Sequence, residues 1–547
     1  MATPSISLPY PDLLSKKPAL RVDFDELRQA LIFAFATGGA VESFDHAIGR
    51  ARLPKTAWDR AYFERDLFLD QLVKNCLSIR LNGRVHEPCA RYLLRALSEP
   101  PCDGGEVEFR RAILSELCES KPLRDQFESI YAELIRLRTL LCAGRFLTAQ
   151  LRRLDILRAL HSLIGLAVNS FNDASSGLGR IREFGQAVLE SPSYKRLDAL
   201  LDHEEHLGTV DLRVRLGSDG ELRTFQIVAV RENRDNPFHA SPLGRWLAKL
   251  RLMFRGYRMN GGEVVERLFD DVFTGMESAL VSLFQLLGDM EFYLSALGFR
   301  DAVQAKGLSL CFPEFIEIGD QSASECQGME ILGLFNPLLL EGKTIPVPCD
   351  LRTQHADSVV LVTGPNSGGK TRLLQSLALC YLFGAAGLFV PASSARLPRF
   401  AGLFVSLLDE TRADQPEGQL GMELLRIRRM FENLDRCSLV ILDELCSGTN
   451  PSEGEEIARL VISLLPEMEA QAFVSTHLLQ FAARLSEERP VPHLEFIQVE
   501  LDPHERPTYG FVGGVAKTSL AHKTAARLGV TRDELGALIA KRKRAPK

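Results

Sequence analysis

Paired cysteines are missing from this sequence. Its 11 cysteines stand singly between Cys76 and Cys446, with no C-x-x-C pair and no cysteine–histidine spacing of the kind that holds zinc. That pattern argues against a structural zinc site and for reduced thiols in a cytoplasmic setting. An excess of basic charge is missing too. Lys and Arg number 65 against 71 Asp and Glu, a net charge of -6, so a uniformly basic nucleic-acid-binding coat is excluded and only local patches remain. The opening stretch from Met1 to Pro11 lacks the basic-then-apolar pattern of an export signal. The run 373–395 carries no charge, but Gln375, Ser376, Gly384, Gly387 and Pro391 interrupt it, and no membrane span is expected. No internal repeat or low-complexity tract stands out.

What is present is apolar material in quantity. With 46% hydrophobic residues in 547, the chain can build sizeable cores, in roughly three to four domains. Two Pro/Gly-rich stretches, Glu99–Gly105 and Asn336–Pro348, divide a mostly helical front from an α/β rear.

The sharpest signal lies in that rear part. Gly364, Pro365, Asn366, Ser367, Gly368, Gly369, Lys370 and Thr371 follow the apolar run Val359–Val362 and precede a helix-like stretch. This is the pattern G-x-x-x-x-G-K-[ST], whose glycines let backbone N–H groups close around phosphate oxygens. Lys370 is then placed to neutralise terminal phosphates, Asn366 and the loop amides to cradle phosphate, and the Thr371 hydroxyl to ligate magnesium. The positive end of the following helix adds to the attraction. The motif implies a nucleoside triphosphatase with ATP and Mg2+ as cofactors.

A second apolar run, Ser438–Leu442, ends in Asp443 and Glu444, 73 and 74 residues after Lys370. Acidic residues commonly end strands as solubilising groups. At this distance from a phosphate loop, Asp443 reads as a magnesium ligand through water and Glu444 as the base that orients or deprotonates the attacking water. A third run, Ala472–Val474, ends in Ser475, Thr476 and His477. A lone histidine is usually structural, but this one ends a strand in the right order and reads as a γ-phosphate sensor. The three strands form one mixed sheet.

Upstream, Val265, Leu268, Phe269, Val272, Phe273, Met276, Leu280, Leu283, Phe284 and Leu287 recur at helical spacing, predicting a helix over 263–297 with one buried stripe. Leu212–Leu216 and Leu222–Val230 alternate around a Gly/Asp turn and predict a β-hairpin.

These residues together resemble the MutS family of DNA mismatch-repair ATPases, within the wider ABC-type ATPases. The resemblance is carried by Thr363–Thr371, by Gly387–Ala392, by Asp443–Gly454, by Ser475–His477 and by the segment from Tyr509–Gly510 to Gly529, and it is dense over 335–530. It is most similar to paralogues that lack mismatch recognition. Glu108–Leu117 looks like the opening of the family's core and lever region. The resemblance implies a multidomain chain: a mainly helical region at 1–105, core and lever helices at 106–335 with a hairpin near 210–232, a phosphate-loop ATPase domain at 336–505, and an extension with a basic tail at 506–547. It implies a homodimer formed through the ATPase domain, and sequence-independent binding of duplex or branched DNA in repair or recombination. The hairpin is much shorter than a full clamp, so a weaker grip on DNA is expected.

Three departures qualify this. Pro416–Met422 has no Ser or Thr where the family carries a Ser-Thr-Phe element reaching the partner's nucleotide; either a backbone or Gln419 contact replaces it, or the composite site is weak. Residues 1–105 are too few for mismatch-reading and connector domains, and Tyr62-Phe63-Glu64 echoes the mismatch wedge without its glycine, so it reads as ordinary helix surface. With the sequence ending at Lys547, no appended nuclease is expected. DNA contacts are sought in Arg245, Lys249, Arg251, Arg255 and Arg258, interleaved with Trp246, Phe254 and Tyr257. A solvated helix face fits that stretch equally well. The tail Lys541–Arg544 is a second basic candidate or merely a solubilising end. Two other readings stay open: an ATP-driven switch acting on a protein partner without DNA, and a non-hydrolysing ATP-binding module.

Overall fold

The computed structural model describes residues 8–81, 83–143, 149–206, 209–216, 222–231, 269–318, 328–342, 345–407, 419–445, 450–518, 520 and 529–544. They form two compact units that interleave along the chain. The first takes residues 1–54, 79–93 and 108–295, and the second takes 55–78, 94–107 and 296–547.

The first unit is built on helices. Lys121–Cys142 shows why they form: Ser120 caps the helix by accepting from the Leu123 N–H, Pro122 sits in the first turn, and Phe127, Ile130, Tyr131, Leu134, Leu137 and Leu141 recur on one buried face. Strands β1 (Ile79–Leu81) and β2 (Arg84–His86) pair antiparallel, as do β3 (Thr209–Leu216) and β4 (Leu222–Arg231). The predicted hairpin is therefore present, with register shifts after Asp211 and after Arg215.

Of the helix expected over 263–297, residues 263–268 lie outside the described residues, and the rest is interrupted once. Residues 269–275 are helical, a turn at Met276 follows, and a 28-residue helix runs from Glu277 to Gln304. Its apolar window suits a membrane span by length and composition, yet all of that window is buried within the protein. No single stripe explains it, because Ser282, Gln285, Asp289, Glu291 and Ser295 are buried as well. Two of those polar groups have specific work. Asp289 takes the Arg21 guanidinium, the Tyr92 hydroxyl (2.5 Å) and the Leu13 N–H (3.0 Å), while Gln285 accepts the Arg21 N–H at 2.6 Å. Arg21 also bonds Asp12 at 3.0 Å. A buried charge is tolerated only with such a full complement of partners.

The second unit holds two sheets. One has the order β5-β9-β6-β7, formed by β5 (Glu314–Ile316), β6 (Glu330–Leu334), β7 (Cys349–Arg352) and β9 (Ser394–Pro398). The other contains β8 (Val359–Thr363), β10 (Leu403–Ser406), β11 (Leu439–Leu442), β12 (Gln471–Ser475), β13 (Leu494–Leu501) and β14 (Pro507–Gly513), in the order β10-β11-β12-β8-β13-β14. The first five of that order run parallel and β14 runs antiparallel to β13, giving a mixed sheet. Every residue of β8, β11 and β12 is buried, which is why these strands read as unbroken apolar runs. Parallel pairing in register, Leu442 with Val474 and Ser475 with Val362, brings three strand ends to one edge.

The segment Lys55–Ser78 belongs to this second unit, and it corrects the reading of Tyr62-Phe63-Glu64 as helix surface. Phe63 is buried, at 1% exposure, and Tyr62 lies against Phe404 with ring centroids 5.5 Å apart. Trp58 stacks on Tyr381 at 5.6 Å. Towards the other end of the sequence the backbone is helical from Arg532 to Arg544, a stretch that takes in Lys541–Arg544.

Candidate nucleotide site

The site is assembled at the strand edge just described. β8 ends at Thr363, whose hydroxyl donates to the Ile497 carbonyl (3.2 Å) and accepts the Ala516 N–H (2.9 Å). The chain then turns through Gly364, with φ +136°, and reaches Gly369, with φ +90°, which opens the helix Lys370–Ala385. Both angles lie in the left-handed half of backbone space that side chains rarely occupy. Gly368 is required for a different reason. A Cβ there would sit 2.7 Å from Val499 Cγ2 and 3.0 Å from the Pro365 carbonyl, which already accepts the Gly368 N–H at 2.9 Å. Val499 on β13 thus backs the loop, a contact that sequence reading missed.

Lys370 is buried beneath this loop, its ammonium donating to the Gly364 and Pro365 carbonyls at 3.0 and 3.3 Å. Burial lowers its pKa from the usual value, opposed by the negative charges of Glu444 and Asp443. Asn366 and Ser367 are exposed at the tip. Thr371 Oγ1 donates to Asp443 Oδ2 at 2.5 Å, and Ser475 donates to the other Asp443 oxygen. Glu444 adopts φ +50°, a left-handed conformation for a residue with a side chain, and its N–H is held by Ser475 Oγ at 3.0 Å. Such local strain, on the order of 1–3 kcal/mol, persists where surrounding structure enforces it. His477 is exposed past the end of β12, where the Thr476 N–H bonds the Val362 carbonyl at 3.0 Å.

The loop residues, Lys370, Thr371, Asp443 and Glu444 are therefore brought together, with His477 on the same edge. The cavity over the loop measures about 460 Å³ and is walled also by Phe68, Leu407 and Tyr509, which sequence reading missed. Such a volume falls in the range of small-molecule sites, about 300–1,000 Å³. Arg245, Lys249, Arg251, Arg255 and Arg258 lie outside the described residues, and so do 416–418 of the Pro416–Met422 element; Gln419–Met422 open the helix Gln419–Asn433.

Fold and site define an α/β domain with a mixed sheet, whose strand ends gather a glycine-rich loop, a buried lysine and two carboxylates. Residues 360–533 match the family described as MutS domain V, about a third of the chain. Similar relatives named Endonuclease MutS2 come from Thermomicrobium roseum (36% identity over 197 residues, 36% of this chain and 24% of the relative), Streptococcus thermophilus (33% over 238, 43% and 29%) and Thermus thermophilus (32% over 247, 44% and 31%). The matched stretch thus spans less than a third of the length of these relatives.

Proposed function

We propose that this protein is a MutS-like ATPase in which ATP binding and hydrolysis control a sequence-independent grip on duplex or branched DNA, in repair or recombination, without mismatch reading. The observation that carries the nucleotide half is the bond from Thr371 to Asp443 beside the buried Lys370. The loop amides and Lys370 would hold the β- and γ-phosphates. One hydroxyl and one carboxylate are hard oxygen donors that suit Mg2+, which takes few protein ligands and completes its shell with phosphate and water. Among the described residues no cluster of three or more His, Cys, Asp or Glu offers a competing metal site. Glu444 would orient or deprotonate the attacking water, and His477 would contact the γ-phosphate. The DNA half is supported by the match of 360–533 to MutS domain V and by the hairpin β3–β4, read as the tip of a lever. A homodimer through the ATPase domain and a cytoplasmic setting complete the proposal.

The test is magnesium-dependent ATP turnover by the purified chain, alone and with linear duplex, mismatched duplex and a four-way junction, alongside Glu444→Gln. Stimulation by DNA that is equal with and without a mismatch, and lost in Glu444→Gln while ATP stays bound, is the expected result. Turnover indifferent to every DNA would replace this reading with a switch on a protein partner. No turnover in the parental chain would leave a binding module.

A further inference from the structure

Asp66 lies far upstream of the phosphate loop, yet it is built into the same unit. Its side chain is 2% exposed, and one carboxylate oxygen takes both the Arg426 guanidinium and the Leu407 N–H, the latter at 3.2 Å. Its backbone carbonyl accepts Gln375 Nε2 at 3.3 Å, from the helix that the phosphate loop opens. Burial raises the pKa of the Asp66 carboxyl, opposed by Arg426. Arg426 in turn donates to the Val405 carbonyl at 2.7 Å and stands over the Phe404 ring. One residue therefore ties three elements: the phosphate-loop helix, the end of β10, and the helix Gln419–Asn433.

Two cavities meet at this residue. Asp66 and Leu407 wall the space over the phosphate loop, with Lys370 and Thr371. The same two residues wall a second space of about 220 Å³ that reaches Asp443, with Met422, Glu423 and Arg426. Asp66 and Leu407 thus border both the space over the loop and the space that reaches Asp443. Further along its segment, Phe68 enters the following helix at φ +51° and Asn75 Nδ2 bonds Glu341 Oε2 at 2.7 Å.

We propose that Asp66 is a positioning residue of the nucleotide site, holding the end of β10 and the helix Gln419–Asn433 through Leu407 and Arg426 so that the wall beside Asp443 and Glu444 is set for hydrolysis. This rests on the nucleotide site proposed above. The phosphate loop makes its own bonds and does not depend on the pair, so binding and turnover should separate. Loss of the Asp66–Arg426 bond frees the helix from β10 and disorders the wall that orders water at Asp443, while the amides and Lys370 still grip phosphate.

The experiment measures kcat and KM for magnesium ATP, and affinity for a fluorescent ATP analogue, on the full chain carrying Asp66→Asn, Arg426→Met, or both. Each single change is expected to lower kcat by about tenfold or more with KM and affinity within about threefold, and the double variant to be no worse than either single, since both remove one interaction. The double variant leaves no uncompensated buried charge, which keeps the test valid if a single variant folds poorly. Arg426→Lys, which keeps the charge, should recover part of kcat. Parental kcat in the double variant, or losses of kcat and affinity in parallel, would overturn the positioning role. If the parental chain neither binds nor hydrolyses ATP, the nucleotide reading itself fails; parental turnover with unaffected variants sinks the role of Asp66 alone.

Discussion

Thr371 and Asp443, 72 residues apart in sequence, meet through a 2.5 Å hydrogen bond that joins the start of the phosphate-loop helix to the end of β11. The bond follows from topology. Parallel strands β8 and β11 flank β12, so both open towards one edge, where open α/β sheets place their ligands. Ser475 completes the join by holding Asp443 and the Glu444 N–H together.

Asp443→Asn should therefore lose more than a hydrogen bond. The amide keeps the Thr371 contact but cannot supply negative charge to a divalent cation, so turnover should fall by about two orders of magnitude, with several kcal/mol of charge stabilisation removed. Titrating Mg2+ against ATPase rate checks it. A variant with parental rate and parental magnesium dependence would take Asp443 out of the site.

Gly368→Ala tests the support behind the loop. The added methyl meets Val499 Cγ2 at 2.7 Å, and overpacking of this kind costs about 1–3 kcal/mol, which is roughly five- to 150-fold in affinity for ATP. Combining it with Val499→Ala removes that clash but not the one with the Pro365 carbonyl, so a partial recovery is expected. Equilibrium binding of a fluorescent ATP analogue to the three variants reads this out, and no recovery in the pair would mean that Val499 does not set the loop.

In the first unit, Asp289→Ala should be severe. It strands the buried Arg21 guanidinium, which keeps only Asp12 as a carboxylate partner, and removes acceptors from Tyr92 and Leu13. Breaking a buried ion pair from one side costs about 3–5 kcal/mol. A thermal midpoint within a degree or two of the parental value would contradict this account.

How much of this was legible in the sequence depends on how local the cause is. The phosphate loop, the strand before it and the carboxylates after β11 could be read because a loop conformation and a buried parallel strand each impose residue types on adjacent positions. The hairpin β3–β4 was legible for the same reason. Phe63 and Asp66 were not: Asp66 meets Arg426 across 360 positions, and nothing in its own neighbourhood marks a partner that far away. The helix after Met276 misled in a subtler way. Its apolar spacing predicts one buried face, but Gln285 and Asp289 are polar and buried because Arg21 needs them, and periodicity cannot distinguish a buried acid from a solvated one.

Glu291 makes the last prediction, on pH. It is 1% exposed, accepts the Cys89 N–H at 2.7 Å, and its pKa is raised by burial from the usual 4.5 to about 7, with Arg138 and the Cys89 bond opposing the rise. The folded state holds a proton that the unfolded chain releases near pH 4.5. The stabilising effect is therefore complete below pH 4.5 and is lost as pH rises through 7, so stability should fall between about pH 4.5 and 7 and level off above. At about 1.4 kcal/mol per pKa unit, the amplitude is on the order of 3 kcal/mol. Glu291→Gln keeps an acceptor for the Cys89 N–H and carries no titrating proton. It should flatten this limb of the profile and be the more stable form at pH 8, as measured by urea midpoints from pH 5 to 8. An unchanged slope in Glu291→Gln would show that another group sets the dependence.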